Sequence, residues 1–372
     1  MVGFQIALLL GLSARILVIV GLFGGVLSMV FGMGYLLIPS YVGVVLSDRD
    51  LPGAHLVFSF LGMGFLVGAE RWDSILPLGT LGKLFWSAGV LIFVLTLVRT
   101  VAPPIPDEPD RVRRLLFRPR RPTRAATGLI PVALGYLIVG TVGLLSTDPT
   151  FSIPVTIPFH AVVHLYGAGF SGLLIFALGI RLLAGFFHVT PPKPLAWLVL
   201  GMGGLGPGIL AGYFFEPPWF LVGASIEFLA MVGYAVLVSV VVVRTDTPRI
   251  GIAGIGFGAI AGVAATGVST LFVFGAIDLP AAITVHMILI LEGFLFLTIV
   301  GYTYQFFPVT NRQFRGATER TALGTILAVV LGIPIQLLGE VMALDWVRVT
   351  GGVFVLCGLI GYAYLVGRRQ LQ

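Results

Sequence analysis

Charged residues are scarce in this chain, and their scarcity excludes a soluble globular protein. They make up 10% of the 372 residues, whereas hydrophobic residues make up 58%. A typical soluble domain carries about 25% charged residues. Apolar runs of about 20 residues, the length that crosses a bilayer, occupy most of the sequence. The composition predicts an integral membrane protein, with a single transmembrane domain over residues 1–372.

Cysteine is nearly absent, and so is a basic region at the start of the chain. Cys357 is the only cysteine, which excludes intrachain disulfides and metal sites built from several cysteines. No basic residue precedes the first apolar stretch, since Arg15 follows it. A secretory signal begins with a positively charged region. We therefore expect the first residues to belong to a retained helix.

Polar residues and prolines separate the apolar runs, and this punctuation predicts an all-α membrane helix bundle of eleven spans. The predicted spans are 14–44, 53–70, 78–99, 127–146, 157–187, 193–213, 219–243, 250–273, 279–308, 320–339 and 348–367. The three longest are expected to tilt or to extend past the bilayer surface.

Positive charge is concentrated in the loop 100–126, between the third and fourth spans. Together with Arg99 it holds eight arginines and three acidic residues, a net +5 out of the formal +6 of the chain. Such a run would suit a nucleic-acid arm or an anionic-lipid patch, but in a polytopic membrane protein it favours a cytoplasmic loop. We expect membrane lipid as a partner, and no nucleic acid.

The connections that follow alternate in charge and extend this orientation along the chain. Basic residues mark the segments 181–193, 244–249, 312–320 and 368–369. The alternate connections carry acidic residues, namely Asp148, Glu216 and Asp278. The alternation predicts an outside N-terminus and a cytoplasmic C-terminus, in the plasma membrane.

Two apolar segments are variants of one another, and each contains a histidine. Gly179 follows His164 by fifteen residues, Gly301 follows His286 by fifteen, and a Phe-Phe pair closes each segment. An ionisable ring inside a membrane helix needs a partner that holds it there, so a matched pair indicates a shared ligand. At 1.5 Å per residue, both histidines are expected roughly 10 Å below the outer boundary.

The similarity extends to neighbouring spans and predicts three repeats of three, four and four helices. A glycine-rich helix follows each histidine helix, and the first span has Gly32 seven residues before Pro39, the spacing of Gly301 and Pro308. On this register, the position of the histidine in the first copy falls near Leu17. The repeats cover about 14–99, 127–243 and 250–367.

This organisation resembles the haem-copper oxidase superfamily, and more narrowly the NnrS-type membrane proteins. His160, His164 and His286 carry the resemblance, together with the closing patterns. It implies an oxidase subunit I-like fold, with haem b held by His164 and His286, and copper or another metal at these two residues and His160. The oxidase pattern also needs histidines in the spans at 14–44 and 193–213 and a second one near His286. None is present, so no complete oxygen-reducing centre is expected.

Other polar residues within the spans have competing interpretations. Glu292 and Glu227 lie mid-span, where an ionised carboxylate costs roughly 3 kcal/mol, so each is a proton-relay candidate or a structural carboxyl. His160 lies near the surface, where an interfacial role competes with ligation. A single membrane histidine often just bonds a carbonyl across a helix contact. His55 and His188 lie near helix ends and are interpreted as structural.

Two classes of function stay open at this point. The resemblance implies a haem protein with a redox or nitric-oxide-related role, and electron transfer or gas sensing fits equally. A redox role would need an electron donor as a partner. Whether the protein is an enzyme stays open. The alternative is a proton- or cation-coupled transporter that uses the intramembrane glutamates and histidines. Transporter repeats are often inverted, whereas these repeats keep one orientation, which favours the haem protein.

Overall fold

A computed structural model describes residues 1–72, 77–102, 122–246, 249–277, 281–309 and 314–370. Over these ranges the chain forms helices joined by turns and loops, with no strand. Eleven of the described helices are long and apolar enough to cross a membrane. The chain is an all-α integral membrane protein, as its composition predicts. Most of the predicted basic loop, with Asp278 and Arg312, lies outside the described residues.

We number the helices α1 to α12 along the described chain. The short helix α1 covers Val2–Leu9. The long helices are α2 (Ala14–Val42), α3 (Leu51–Arg71), α4 (Leu78–Val101), α5 (Ala125–Ser146), α6 (Phe159–Phe187), α7 (Lys193–Gly212), α8 (Trp219–Arg244), α9 (Gly251–Val273), α10 (Ala282–Phe306), α11 (Glu319–Val341) and α12 (Asp345–Arg369). Each predicted span coincides with one long helix, and the ends differ by at most three residues.

The N-terminal residues form a helix of their own, separate from the first span. After α1, Gly11 adopts a left-handed φ of +65°, which glycine tolerates and which turns the chain before α2. Gln5 of α1 is fully buried. Its Nε2 donates to Gln336 Oε1 at 2.9 Å and to the Gly352 carbonyl at 3.1 Å. The buried amide therefore fastens α1 to α11 and α12.

The described chain divides into two compact units. The unit that we call terminal comprises Met1–Ala14, Leu182–Val199 and Ala224–Gln372. The unit that we call central comprises Arg15–Arg181 and Leu200–Gly223. His286 belongs to the terminal unit and His164 to the central unit.

Glycines let consecutive helices pack closely inside each unit. In the central unit, Gly62 of α3 lies against α4, and a Cβ added to it would come 2.6 Å from the Trp86 nitrogen. In the terminal unit, Gly332 of α11 lies against α12, and a Cβ there would come 2.7 Å from Val355 Cγ2. Small residues permit close van der Waals contact, which drives helix association where lipid removes the hydrophobic effect.

Three helices contain a π-helical segment of eight residues, at Ile19–Val26 in α2, Leu165–Gly172 in α6 and Leu289–Phe296 in α10. These three spans are also the most deeply buried of the eleven described spans. In their apolar stretches 61%, 72% and 78% of the residues are buried, against at most 44% in the other spans. Short π segments inside α-helices occur frequently at functional sites. His164 immediately precedes the segment of α6, and His286 lies three residues before that of α10.

Candidate functional site

His164 lies on α6 in the central unit, one turn after His160. Its Nδ1 lies 2.9 Å from the His160 carbonyl oxygen, and because a carbonyl only accepts, Nδ1 is the donor. A neutral imidazole protonated at Nδ1 carries its lone pair on Nε2. Histidines that ligate metals are commonly held in this way, with the second nitrogen donating to a carbonyl. The helix itself therefore supplies the tautomer that ligation through Nε2 requires.

His286 lies on α10 in the terminal unit and has the same kind of partner. Its Nδ1 donates to the Ala265 carbonyl of α9 at 3.0 Å. The lone pair of the neutral ring is again on Nε2. This contact is also the one expected of a structural membrane histidine. The hydrogen bond therefore fixes the tautomer without deciding between ligation and a structural role.

Both histidines lie nearer to the start of their helices than the predicted spans imply. Because α6 begins at Phe159 and α10 at Ala282, His164 is the sixth residue of its helix and His286 is the fifth. At 1.5 Å per residue these positions are roughly 6–8 Å from the first residue along the helix axis. The predicted depth of about 10 Å below the outer boundary stays a prediction, because the first residue of a helix does not mark the membrane surface.

Aromatic rings from the loop between α7 and α8 contact the two histidines of α6. The centroid of the Phe214 ring is 4.4 Å from that of His160 and 4.9 Å from that of His164. Phe215 adds a ring centroid at 5.2 Å from His160. His160 is exposed and His164 is partly buried. Sequence reasoning did not find Phe214, because no spacing rule connects a helix with a loop so far along the chain.

The predicted ligands belong to different units, His164 to the central unit and His286 to the terminal unit. Joint ligation by His164 and His286 therefore stays a prediction. Among the residues that the structure describes, no group of three or more His, Cys, Asp or Glu comes together to hold a metal. The second metal predicted at His160, His164 and His286 likewise stays a prediction.

Glu292 lies inside the π segment of α10 and is fully buried. Neither of its carboxyl oxygens has a hydrogen-bond partner within the described ranges. The Met1 amino group interacts with Glu292 electrostatically. Burial lowers the pKa of this amino group, and the negative charge of Glu292 partly offsets this by raising the same pKa. The other predicted carboxyl, Glu227 on α8, has its Oε1 buried without a partner in the described chain. Because buried polar atoms are nearly always hydrogen-bonded, these carboxyls are candidates for water contact or proton transfer.

The part of α10 beyond Glu292 carries further buried polar side chains. Thr298 is fully buried and Gln305 is 3% exposed. The Thr298 hydroxyl and the Gln305 amide have no hydrogen-bond partner among the described residues. Between them, Tyr362 donates to the Thr303 hydroxyl at 3.2 Å. Polar groups therefore follow one another along the buried helix from Glu292 to Gln305. Sequence reasoning singled out Glu292 but not Thr298 or Gln305.

His55 is a buried histidine of the central unit with contacts that suit a structural role. It is 3% exposed, and its Nδ1 lies 3.1 Å from the Tyr35 hydroxyl. The Phe31 ring meets it edge-on, with centroids 4.5 Å apart. His188, by contrast, is exposed at the end of α6, with a φ of +56°.

No family model, curated protein or solved structure matches the chain. Its function is accordingly inferred from the sequence pattern and from the contacts of the described residues.

Proposed function

We propose that this protein is an integral membrane haem protein in which His164 and His286 ligate b-type haem through Nε2. The observation that carries the proposal is the hydrogen bond from Nδ1 of each histidine to a backbone carbonyl. In the neutral ring this bond puts the lone pair on Nε2, the atom through which the histidine would bind a metal, and it restrains the ring, as outer hydrogen bonds do for metal-ligating histidines. The donor set, two neutral imidazoles, suits haem iron, and haem would supply redox chemistry when bound.

We further infer three repeats of three, four and four helices, similar to the haem-copper oxidase superfamily and to NnrS-type proteins. The π segments support this inference because they occur at corresponding positions. They begin one residue after His164, three after His286 and two after Leu17, the position that corresponds to the histidines in the first copy. The same irregularity, beginning one to three residues after the corresponding position, is expected of copies of one unit.

The role that we propose is redox or nitric-oxide-related. We place the protein in the plasma membrane, with its N-terminus outside and its C-terminus in the cytoplasm. The histidines that a complete oxygen-reducing centre needs are missing from the sequence. Turnover would require an electron donor. His160 is the residue on which copper or another second metal would depend, since it lies one turn from His164 on the same helix face.

An optical spectrum of the detergent-purified protein, recorded with and without dithionite, tests the proposal. We expect a Soret band that shifts on reduction and that is abolished or shifted in both His164→Ala and His286→Ala. His188→Ala alters an exposed histidine and is the matched control, with an unchanged spectrum. Absence of a Soret band when haem is supplied during expression, or an unchanged band in both ligand variants, would overturn the proposal.

A proton- or cation-coupled transporter is the second candidate. The observation that favours it is the row of buried polar groups on α10, in which Glu292, Thr298 and Gln305 have no hydrogen-bond partner in the described chain. Proton flux into proteoliposomes tests it with Glu292→Gln and Glu227→Gln, which keep the size and remove the titration. Glu319→Gln, at an exposed position, is the control. Loss of flux in the buried variants alone would favour the transporter, and equal flux in all variants would count against it.

A further inference from the structure

Arg181 is a charged residue of α6 that neither candidate function uses. It is partly buried in the central unit, within an apolar part of the helix. Its guanidinium lies over the Tyr41 ring, with Cζ 4.0 Å from the ring centroid. Its Nη1 donates to the Thr127 hydroxyl at 3.0 Å. No carboxylate in the described part of the chain lies within ion-pair distance of Arg181.

A guanidinium without a counter-ion is costly in a membrane protein. Charged residues in membrane spans generally pair with an opposite charge or belong to binding sites. Stacking on Tyr41 offsets part of this cost. Guanidinium offers five N–H donors in a planar fork that matches phosphate or carboxylate oxygens. Arg181 is therefore prepared to accept an anion.

The Tyr41 hydroxyl provides a second donor beside the guanidinium. It is buried and has no hydrogen-bond partner among the residues described. It belongs to the ring on which Arg181 stacks, so an oxygen bound to the guanidinium at the ring edge would come within reach of the phenol. With Thr127 next to the guanidinium and no acidic side chain of the described residues beside Arg181, the chemistry of the cluster selects a negative ligand.

The three residues lie near the ends of their helices. Tyr41 is next to last in α2, Thr127 is the third residue of α5, and Arg181 lies in the last two turns of α6. Alternate crossing of the bilayer puts these helix ends on the side of the basic loop 100–126. In the sequence, Arg120, Arg121 and Arg124 precede α5. Basic groups between helices on the cytoplasmic side recognise the phosphate groups of anionic lipids.

We propose that Arg181, Tyr41 and Thr127 form a binding site for the phosphate group of an anionic membrane phospholipid. The guanidinium and the phenol donate to phosphate oxygens, and the phosphate charge neutralises Arg181. Thr127 positions the guanidinium by accepting from it. The site is independent of haem and of the carboxyls on α10.

Native mass spectrometry of the full-length protein in detergent, titrated with phosphatidylglycerol, tests this site. We expect Arg181→Gln to weaken phosphatidylglycerol binding about tenfold, because a charge-assisted bidentate contact is lost. Tyr41→Phe keeps the ring under the guanidinium and removes only the hydroxyl, so a smaller loss is expected. Arg15→Gln is the matched control, because Arg15 also stacks on a ring, that of Phe159, but is already paired with Glu70 at 2.9 Å.

Two further arms distinguish the source of the phosphate and guard against misfolding. Inorganic phosphate that displaces phosphatidylglycerol at low millimolar concentration would identify a free-anion site and overturn the assignment to lipid. Equal lipid binding by the wild type and Arg181→Gln would overturn the site altogether. If Arg181→Gln does not fold, Tyr41→Phe tests the site in its place. Unchanged lipid binding in Tyr41→Phe would then contradict the proposed contact. Any Soret band should be the same in Tyr41→Phe and the wild type.

Discussion

The imidazoles of His164 and His55 are chemically identical, yet their hydrogen-bond partners constrain the ring nitrogens differently. A backbone carbonyl can only accept, so the contact of His164 with the His160 carbonyl determines which ring nitrogen carries the proton. The Tyr35 hydroxyl can donate or accept, so its contact with His55 leaves both tautomers open. His55 also packs among Phe31 and Phe93, which suits a residue that fills the interior. The hydrogen-bond partner therefore determines the tautomer of His164 and leaves that of His55 open.

Asp148, in the loop after α5, is a carboxyl whose charge stabilises the folded chain. It accepts from the Thr80 hydroxyl at 2.7 Å and from the Thr150 backbone N–H at 3.0 Å, and its Oδ2 lies 3.3 Å from Lys83 Nζ. Burial raises the pKa of Asp148, but the hydrogen bonds and the Lys83 charge together outweigh burial and lower the pKa to about 2. Because this is below the unfolded value of about 3.9, the stabilisation is present above about pH 4 and is lost as the pH falls through the folded pKa.

We therefore predict that Asp148→Asn lowers the free energy of unfolding at pH 7 by about 2 kcal/mol, the scale of hydrogen bonds to a charged group. The difference between the variant and the wild type should shrink as the pH falls from about 4 to about 2. Thermal unfolding in detergent across this range measures both effects. Asp246→Asn, at an exposed position, is the control. Equal midpoints for Asp148→Asn and the wild type at pH 7 would contradict the prediction.

At the scale of helices, the position of a glycine on the helix surface decides whether it can be replaced. Gly62 and Gly64 lie two residues apart on α3. A Cβ on Gly62 would come 2.6 Å from the Trp86 nitrogen, whereas a Cβ on Gly64 would meet nothing within 4 Å. Gly82 of α4 contacts α3 in return, since a Cβ there would come 2.8 Å from the Leu66 nitrogen. The contact between α3 and α4 therefore depends on particular glycines and not on their number.

We predict that Gly62→Ala destabilises the protein by about 1–3 kcal/mol, because the added methyl group forces the helices apart. Gly64→Ala serves as the matched control and should be neutral or stabilising by up to about 1 kcal/mol, since alanine has the higher helix propensity. Gly82→Ala should resemble Gly62→Ala. Unfolding midpoints in mixed detergent compare the three variants, and indistinguishable values for Gly62→Ala and Gly64→Ala would show that close packing does not limit stability here.

For the whole molecule, an odd number of crossings and a basic loop between the third and fourth spans define the expected topology. If each of the eleven candidate spans in the described chain crosses once, the two ends lie on opposite sides of the membrane. The loop carries a net +5 when Arg99 is included, and arginine-rich loops remain in the cytoplasm. The loop that contains the exposed Val155 lies one span away and should face outward.

We predict that a cysteine introduced at Arg118 is protected from an impermeant maleimide in intact cells and reacts after permeabilisation. Val155→Cys should react in intact cells. Both variants need a Cys357→Ala background, because Cys357 is exposed. The reverse pattern would invert the proposed orientation, and identical labelling of the two positions would contradict the crossing of α5.

The sequence by itself determined the class of the protein, its eleven spans and their ends to within three residues, because the length of an apolar run and the position of charges report directly on a bilayer. It also singled out His164, His286, Glu292 and Glu227, since ionisable residues are conspicuous among apolar ones. Only the tertiary structure decided that Phe214 contacts His164, that Gly62 meets Trp86 and that Arg181 stacks on Tyr41. The reason is that surfaces facing lipid and surfaces facing protein are equally apolar, so the sequence pattern of a membrane helix does not reveal which helix it packs against.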